Sequence, residues 1–380
     1  MRIKEFSNNV SLKTNIINHN ECISGLFDTT KAQDSFESIR LSQVSFCGFF
    51  EKMSLKNEAV SQRRNAQKVF SLSKEIKEKS DKTFFESHRI LSDSKVILRK
   101  SYKTFSQISE LLNYAQENNV VYDLDSQNEG IVRRFKKDAD RFIMDELVSG
   151  FCTRRAILED ESLLVMEYSP DNRQNTYIFD NSTKKLVQYF ENSKTTSIGC
   201  NAQKSFTFAN DELASYDSGL ILRYDEFEKA REHYSFADNN MTDYAVDYEL
   251  NYGGVKKFGE HYSYFGKDLN RYSKNYRLIS GVCESCDEIY TFGGSDKLKK
   301  YELNSGKIFG GNETSDAYYL FEGANPKVIC IENLVTSDGH RQYGKMFEYH
   351  TAKSAKPKSY YQDYKITDKL IKSYNRKIEL

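Results

Sequence analysis

The chain has 380 residues, 29% of them charged, and its 55 basic and 55 acidic side chains cancel. Such a balance gives no electrostatic footprint for nucleic acid or anionic lipid as the main partner. The 26 tyrosines and 25 phenylalanines are too many for a chain that stays unfolded, and three prolines leave room for long helices and strands.

The chain opens Met1-Arg-Ile-Lys-Glu-Phe6, with no continuous apolar stretch and no small-residue cleavage site, and no window approaches about 18 apolar residues. Neither a secretory signal nor a transmembrane helix is expected. Seven cysteines at irregular spacing read as reduced thiols. A cytoplasmic location is the default expectation, with signal-less export left open.

Residues 1–48 are rich in Asn, Ser and Thr and lack a sustained period, so they are expected to form a disordered leader. From 49 to 118 a seven-residue pattern predicts a long helix or a helical hairpin with a second cap at Asp81 or Asp93. One column reads Phe70, Lys77, Phe84, Leu91, Leu98, Phe105, Leu112, and the column before it Val69, Ile76, Thr83, Ile90, Ile97, Thr104, Leu111. Three residues after the first comes serine, at 73, 80, 87, 94 and 101, and then Ile108 and Ala115. All three columns share one face of a helix. Two readings follow: a coiled-coil arm that self-associates through residues 52–117, or a helix lying along the protein's own sheet, with small residues where the backbones approach.

Residues 119–140 read as a polar linker, and 141–350 as a β-hairpin repeat domain. Aromatic doublets Phe206-Thr-Phe208, Tyr234-Ser-Phe236, Tyr262-Ser-Tyr264, Tyr290-Thr-Phe292 and Tyr318-Tyr-Leu320 each begin 28 residues after the last. Tyr177-Ile-Phe179 precedes them slightly out of step, and Phe347-Glu-Tyr349 reads as the last member. A fixed period of this size marks a repeat architecture. After each doublet comes a turn, then an aliphatic residue with an aromatic three positions on: Leu186 and Tyr189, Leu213 and Tyr216, Met241 and Tyr244, Leu269 and Tyr272, Leu298 and Tyr301, with Val328 and Ile331 as a degenerate sixth. Single hairpins are marginal in water, so these units are expected to stabilise one another as a stack. Positions three apart face opposite sides of a regular strand, which predicts apolar surface on both faces of the sheet.

The expected fold class is therefore α+β: the long helix, then an antiparallel meander of hairpins of about 28 residues. An open elongated sheet is expected, a curled or closed one being the alternative. Residues 351–380 carry eight basic against three acidic residues with Tyr360, Tyr361 and Tyr364 among them. They read as a basic tail with a short helix capping the stack. Peripheral membrane contact through this tail is the less favoured reading.

Candidate binding residues are the tyrosines that recur on the second strands, Tyr216, Tyr244, Tyr272 and Tyr301, and an acidic row on the same period, Glu232, Glu260 and Glu288. Tyrosine gives large contact area at low entropic cost. The acidic row also reads as a solvated column paired with Lys and Arg. His233 and His261 stand too far apart to share one ion, and Cys283-Glu-Ser-Cys286 lacks the further ligands of a zinc site. No metal, cofactor or catalytic motif is read, so an enzyme is less expected than a binding protein.

The hairpin unit, seen in Tyr177 to Tyr189, in Tyr290 to Tyr301 and in the turn Asn304-Ser-Gly-Lys307, resembles the tandem MORN-type and YwqK-like repeats of bacteria. The resemblance covers about 175 residues and departs in its longer period, its lack of Trp and its few glycines. It implies an elongated sheet and a scaffold or surface module, and carries no functional residue. The function expected is a non-enzymatic scaffold or binding protein that presents a Tyr-rich sheet to a protein partner. The alternatives are a secreted, toxin-like effector with the repeats as a delivery or recognition module, and an enzyme of unrecognised type in a closed sheet.

Overall fold

One helix, α1, runs over Gln33–Glu117; it holds no Pro and a single Gly, Gly48, near its start. The computed structural model describes residues 33–123, 130–196, 198–223, 227–251, 253–294, 297–350, 356–367 and 372–380. They fall into two units, one ending at Glu51 and one from Lys52 to Leu380. In the first, the described residues belong to the leading part of α1, so the helix starts inside the expected leader, of which residues 1–32 lie outside the described residues. Asp81 and Asp93 sit within α1, which is one helix and not a hairpin.

In the second unit the chain forms a meander. Five short strands come first: β1 (Ile131–Asp138), β2 (Arg141–Val148), β3 (Phe151–Leu158), β4 (Ser162–Tyr168) and β5 (Gln174–Asp180). Long strands follow as β6 (Leu186–Thr196), β7 (Gly199–Ala209), β8 (Glu212–Arg223), β9 (Phe227–Ala237), β10 (Asn240–Asn251) and β11 (Val255–Phe265). The series continues with β12 (Asp268–Ile279), β13 (Cys283–Gly293), β14 (Lys297–Lys307), β15 (Glu313–Glu322), β16 (Asn325–Val335), β17 (Arg341–Tyr349) and β18 (Pro357–Ile366). From β1 to β18 each strand pairs antiparallel with its neighbours in sequence. Beyond β18 lie β19 (Lys372–Ser373) and β20 (Arg376–Glu379), both paired to it. Among the described residues β1 and the last strands do not pair, so the sheet is open. β1 occupies the expected linker. The basic tail adds strands instead of a capping helix, because Tyr360 and Tyr364 are buried in the sheet.

The helix crosses the strands in a fixed ratio. Phe105 meets Phe179 on β5, Phe84 meets Tyr264 on β11, and Phe70 meets Phe321 on β15. From β5 to β11 is six strands and 21 helical residues; from β11 to β15 is four strands and 14. Seven helical residues thus span one hairpin. Seven residues rise about 10.5 Å and two strand spacings cover about 9.6 Å, so the two periods nearly match. The column Ala59, Ala66, Ser73, Ser80, Ser87, Ser94, Ser101, Ile108, Ala115 is buried throughout, at the line of closest approach. Ser73, Ser87, Ser94 and Ser101 donate to backbone carbonyls three residues back, so their hydroxyls are satisfied inside the contact. Of the two readings of the heptad, the helix on its own sheet accounts for this burial.

The aliphatic and aromatic residues of each pair lie on one face, not on two. Thr207 pairs with Ser215 but Phe208 with Leu213, which leaves Ala214 as a β-bulge. The same skip occurs at Val187, Thr242, Asn270, Lys299, Lys327 and Lys358. The extra residue restores the side of the sheet that a three-residue step would lose. Both members of each pair then pack under α1.

Rings at the centre of this face make an unbroken ladder. It runs Tyr177, Tyr189, Phe206, Tyr216, Tyr234, Tyr244, Tyr262, Tyr272, Tyr290, Tyr301 and Tyr319, with centroids 4.7–6.0 Å apart. Such contacts add about 0.5–1.5 kcal/mol each beyond the area buried. The ladder uses Tyr319 and not Tyr318, because one residue more separates β13 from β15 than the 28-residue step allows. Tyr318 falls on the other face with Cys330, Tyr343 and Met346. For the same reason the sixth pair is Pro326 with Ile329, not Val328 with Ile331.

A second irregularity recurs midway along the even strands, where Asn192, Gly219, Asp247, Asn275, Asn304, Glu332 and Asp363 have left-handed backbones. Asn275 and Asn304 each donate across to an aspartate, Asp287 and Asp316, at 2.7 Å. Asn and Asp tolerate this conformation better than other non-glycine residues.

Candidate functional site

The seven residues expected to form a binding surface lie on the side of the sheet that α1 covers. Tyr216, Tyr244, Tyr272 and Tyr301 are buried in the core. Glu232, Glu260 and Glu288 stand beside them and accept hydrogen bonds from tyrosine hydroxyls, Tyr244 to Glu232 at 3.2 Å, Tyr262 to Glu260 at 2.8 Å and Tyr290 to Glu288 at 3.0 Å. Lys79 of the helix also reaches Glu260, and Ser218 donates to Glu232 at 2.8 Å. The acidic row is spent on the core's hydroxyls, which would otherwise be buried without acceptors. Burial, then the nearby Glu232 charge, pushes the Tyr216 hydroxyl up to about 12.

Among the described residues the opposite face carries no helix, and across β8 to β12 it concentrates the polar chemistry. Asp217 on β8 is only 3% exposed and meets His233 of β9, Oδ1 to Nδ1 at 2.6 Å. The other ring nitrogen, Nε2, lies 3.1 Å from Ser235 Oγ. The His233 ring stacks on Tyr248 of β10 at 4.4 Å. One repeat further, His261 meets Asp243 at 3.1 Å and stacks on Phe258, which in turn stacks on Tyr276. The two histidines therefore have separate carboxylate partners.

Glu228 joins the first cluster. One oxygen of Asp217, one of Glu228 and one nitrogen of His233 lie within 4.8 Å of one another. Glu228 and His233 are five apart and would face opposite sides of a regular strand. Between them Arg231 stands across from Gly219, whose φ is +63°. A side chain at Gly219 would combine a strained backbone with a 3.4 Å contact to Arg231 Cβ. The alternation of sides reverses here, which brings Glu228 to the side of His233. Burial, then the Asp217 charge, raises the Glu228 carboxyl above its ordinary range. A cleft of about 290 Å³, lined by Leu222, Phe227, Leu250, Asn251 and Gly254, opens on the same Glu228.

A second cleft of about 300 Å³ lies further along, between the ion pairs Arg271–Glu284, Lys300–Glu302 and Lys307–Glu313. Cys286, half of the sequence's CxxC, is buried with its thiol donating to the carbonyls of Lys274 and Glu288, and burial pushes it up to about 11. It is held as a thiol. Cys152, Cys200, Cys283, Cys286 and Cys330 are all free thiols.

Asp217, His233 and Ser235 stand in the order of a proton relay. Ser235, however, pairs on both sides, with Ser215 and Asp243, which commits its backbone to the ladder. An acyl-transfer site needs free donors aimed at an oxyanion beside the nucleophile, and this stretch of strand does not offer them. Sequence reasoning named His233 and His261 but missed Asp217 and Glu228. The signal available was a break in the repeat: the residues equivalent to Asp217 and Glu228 one unit on are Ala245 and Lys256.

No helix among the described residues is long and apolar enough to cross a membrane. No family model and no curated protein matches the chain. Similar solved structures include Hsv2 of Kluyveromyces marxianus, 7% identical over 68% of this chain and 97% of that one, with a TM-score of 0.14. Hsv2 of Kluyveromyces lactis is 9% identical over 67% and 96%, with a TM-score of 0.11. A TcdB2-TccC3-TEV structure is 8% identical over 70% and 23%, with a TM-score of 0.09. Scores this low carry no weight for fold or function.

Proposed function

We propose that the chain is a non-enzymatic binding or scaffold protein whose recognition surface is the uncovered face of the repeat sheet. The observation that carries this reading is the division of labour between the two faces. Every tyrosine of the ladder is sealed under α1, while the other face holds half-buried aromatic rings, histidine–carboxylate pairs and two clefts. Aromatic and ionic groups of this kind, set in shallow clefts on a rigid sheet, suit contact with a protein partner. The resemblance to MORN-type hairpin repeats supports a scaffold role in the same sense.

The test starts from a partner captured with the full chain and identified by mass spectrometry, with affinity then measured on purified components. Arg271→Glu and Lys300→Glu on the uncovered face should weaken binding at least tenfold, by analogy with charged groups at protein interfaces. Lys95→Glu, on the exposed side of α1, should leave it unchanged. Binding that ignores both face variants and is lost with Lys95→Glu would overturn the assignment.

A further inference from the structure

We propose that Asp217, Glu228 and His233 form a binding site for one divalent transition-metal ion, with zinc the best fit, on the uncovered face of the sheet. Two carboxylate oxygens and one imidazole nitrogen are a ligand set that zinc accepts, with a fourth position left for water or a partner's side chain. The three ligand atoms already converge, all within 4.8 Å of one another, and a modest adjustment brings them around a single ion.

Four independent features point the same way. Asp217 is 3% exposed, and a second carboxylate brought this close to it is electrostatically costly unless a cation sits between them. The histidine is held from outside the ligand set: its Nε2 lies 3.1 Å from Ser235 Oγ and its ring is stacked on Tyr248. At 2.6 Å a proton lies between Nδ1 and the Asp217 carboxylate; an ion would take the place of that proton, leaving Nε2–H to donate to Ser235 Oγ, the kind of outer hydrogen bond that orients metal-bound histidines. The cleft lined by Leu222, Phe227, Leu250, Asn251 and Gly254 ends at Glu228 and gives the ion a route in.

The fourth feature is the repeat itself. Along the histidine column stand Ser205, His233, His261, Ile289 and Tyr318, and along the Asp217 column Phe190, Asp217, Ala245, Ser273 and Glu302. The Glu228 position is Cys200, Glu228, Lys256 and Glu284 in successive units. The three ligand types coincide only in the β8–β9 unit. Residues needed only for stacking would follow the period, as the ring ladder does; a combination confined to one unit, although the histidine itself recurs as His261, marks a local task. Other charged or titratable groups facing the cluster are Asp243 and Tyr248 of β10 and Lys256 of β11.

The test is metal titration of the purified full chain after chelator treatment. Calorimetry with zinc should give one ion per chain, and cobalt(II) should develop the intense visible bands of a four-coordinate site. Glu228→Gln, the half-exposed ligand, should fold normally and weaken zinc by roughly 10–100-fold or more. His233→Gln should do the same, while His261→Gln should leave affinity unchanged. Zinc should raise the melting temperature of the parent chain but not of Glu228→Gln. Absence of stoichiometric binding, or binding that survives Glu228→Gln and His233→Gln but is lost when cysteines are blocked, would overturn the proposal. A six-coordinate cobalt spectrum unchanged by these substitutions would do so as well.

Discussion

Leu213 and Tyr216 stand three residues apart on one strand and pack on the same side of the sheet, because the ladder skips Ala214 between them. An odd step along a strand has been turned into an even one by a single bulged residue, and the same device recurs in most of the hairpins. It is what allows one helix to cover the apolar residues of every unit.

Leu213→Ala therefore removes a side chain from a sealed core. The cost expected is about 2–5 kcal/mol, the range for a truncated buried leucine. Were Leu213 on the uncovered side, the change would fall within about 0.5 kcal/mol. Urea denaturation of the two chains decides between these values.

The match of seven helical residues to two strands makes a stronger prediction. Removal of residues 80–86 alone shifts every later helical contact by one hairpin, and removal of residues 239–266 alone shifts the sheet against the helix. Either single deletion should abolish cooperative unfolding. Both together should restore it, since one heptad and one hairpin leave as a unit. The check is the steepness of the thermal transition by circular dichroism. A double deletion as poorly folded as the singles would sink the idea that the periods are coupled.

Asn304 holds a left-handed backbone with φ of 49° and donates to Asp316. Asn304→Gly keeps the conformation and loses one exposed hydrogen bond, so it should cost at most about 1 kcal/mol. Asn304→Val adds the penalty of a branched side chain at positive φ and should cost about 1–3 kcal/mol. A valine variant as stable as the glycine variant would show that the strand can relax there.

Alkaline pH should unfold the protein earlier than its neutral charge balance suggests. Burial raises Tyr216 and Tyr343 from the usual value of 10.0 to about 12, and it also raises Tyr234, Tyr262 and Tyr290. Between these values the unfolded chain has lost the proton and the folded chain has not. Stability is thus fully present below pH 10 and falls as pH rises towards 12, by on the order of 1 kcal/mol per ring per pH unit. Tyrosinate absorbance and circular dichroism should change together in one transition. Ring ionisation that runs to completion with the fold intact would contradict the burial of the ladder.

The heptad of small residues on the helix and the 28-residue beat of the rings were both legible in the sequence, since each is a spacing along the chain. They determined an α+β protein with a long helical region and a meander of hairpins; that the helical region is one helix and not a hairpin was decided by the structure. Which side of the sheet each residue occupies was decided only in three dimensions. Bulges at Ala214 and its equivalents, and the reversal opposite Gly219, add a residue or turn the backbone without leaving a mark in the hydrophobic pattern. The single-residue slip before Tyr319 likewise moved one tyrosine of the predicted row to the other face. For the same reason Asp217, Glu228 and His233 look unrelated when read in order. Side-chain direction in a strand depends on the running count of regular residues, and every irregular one resets it.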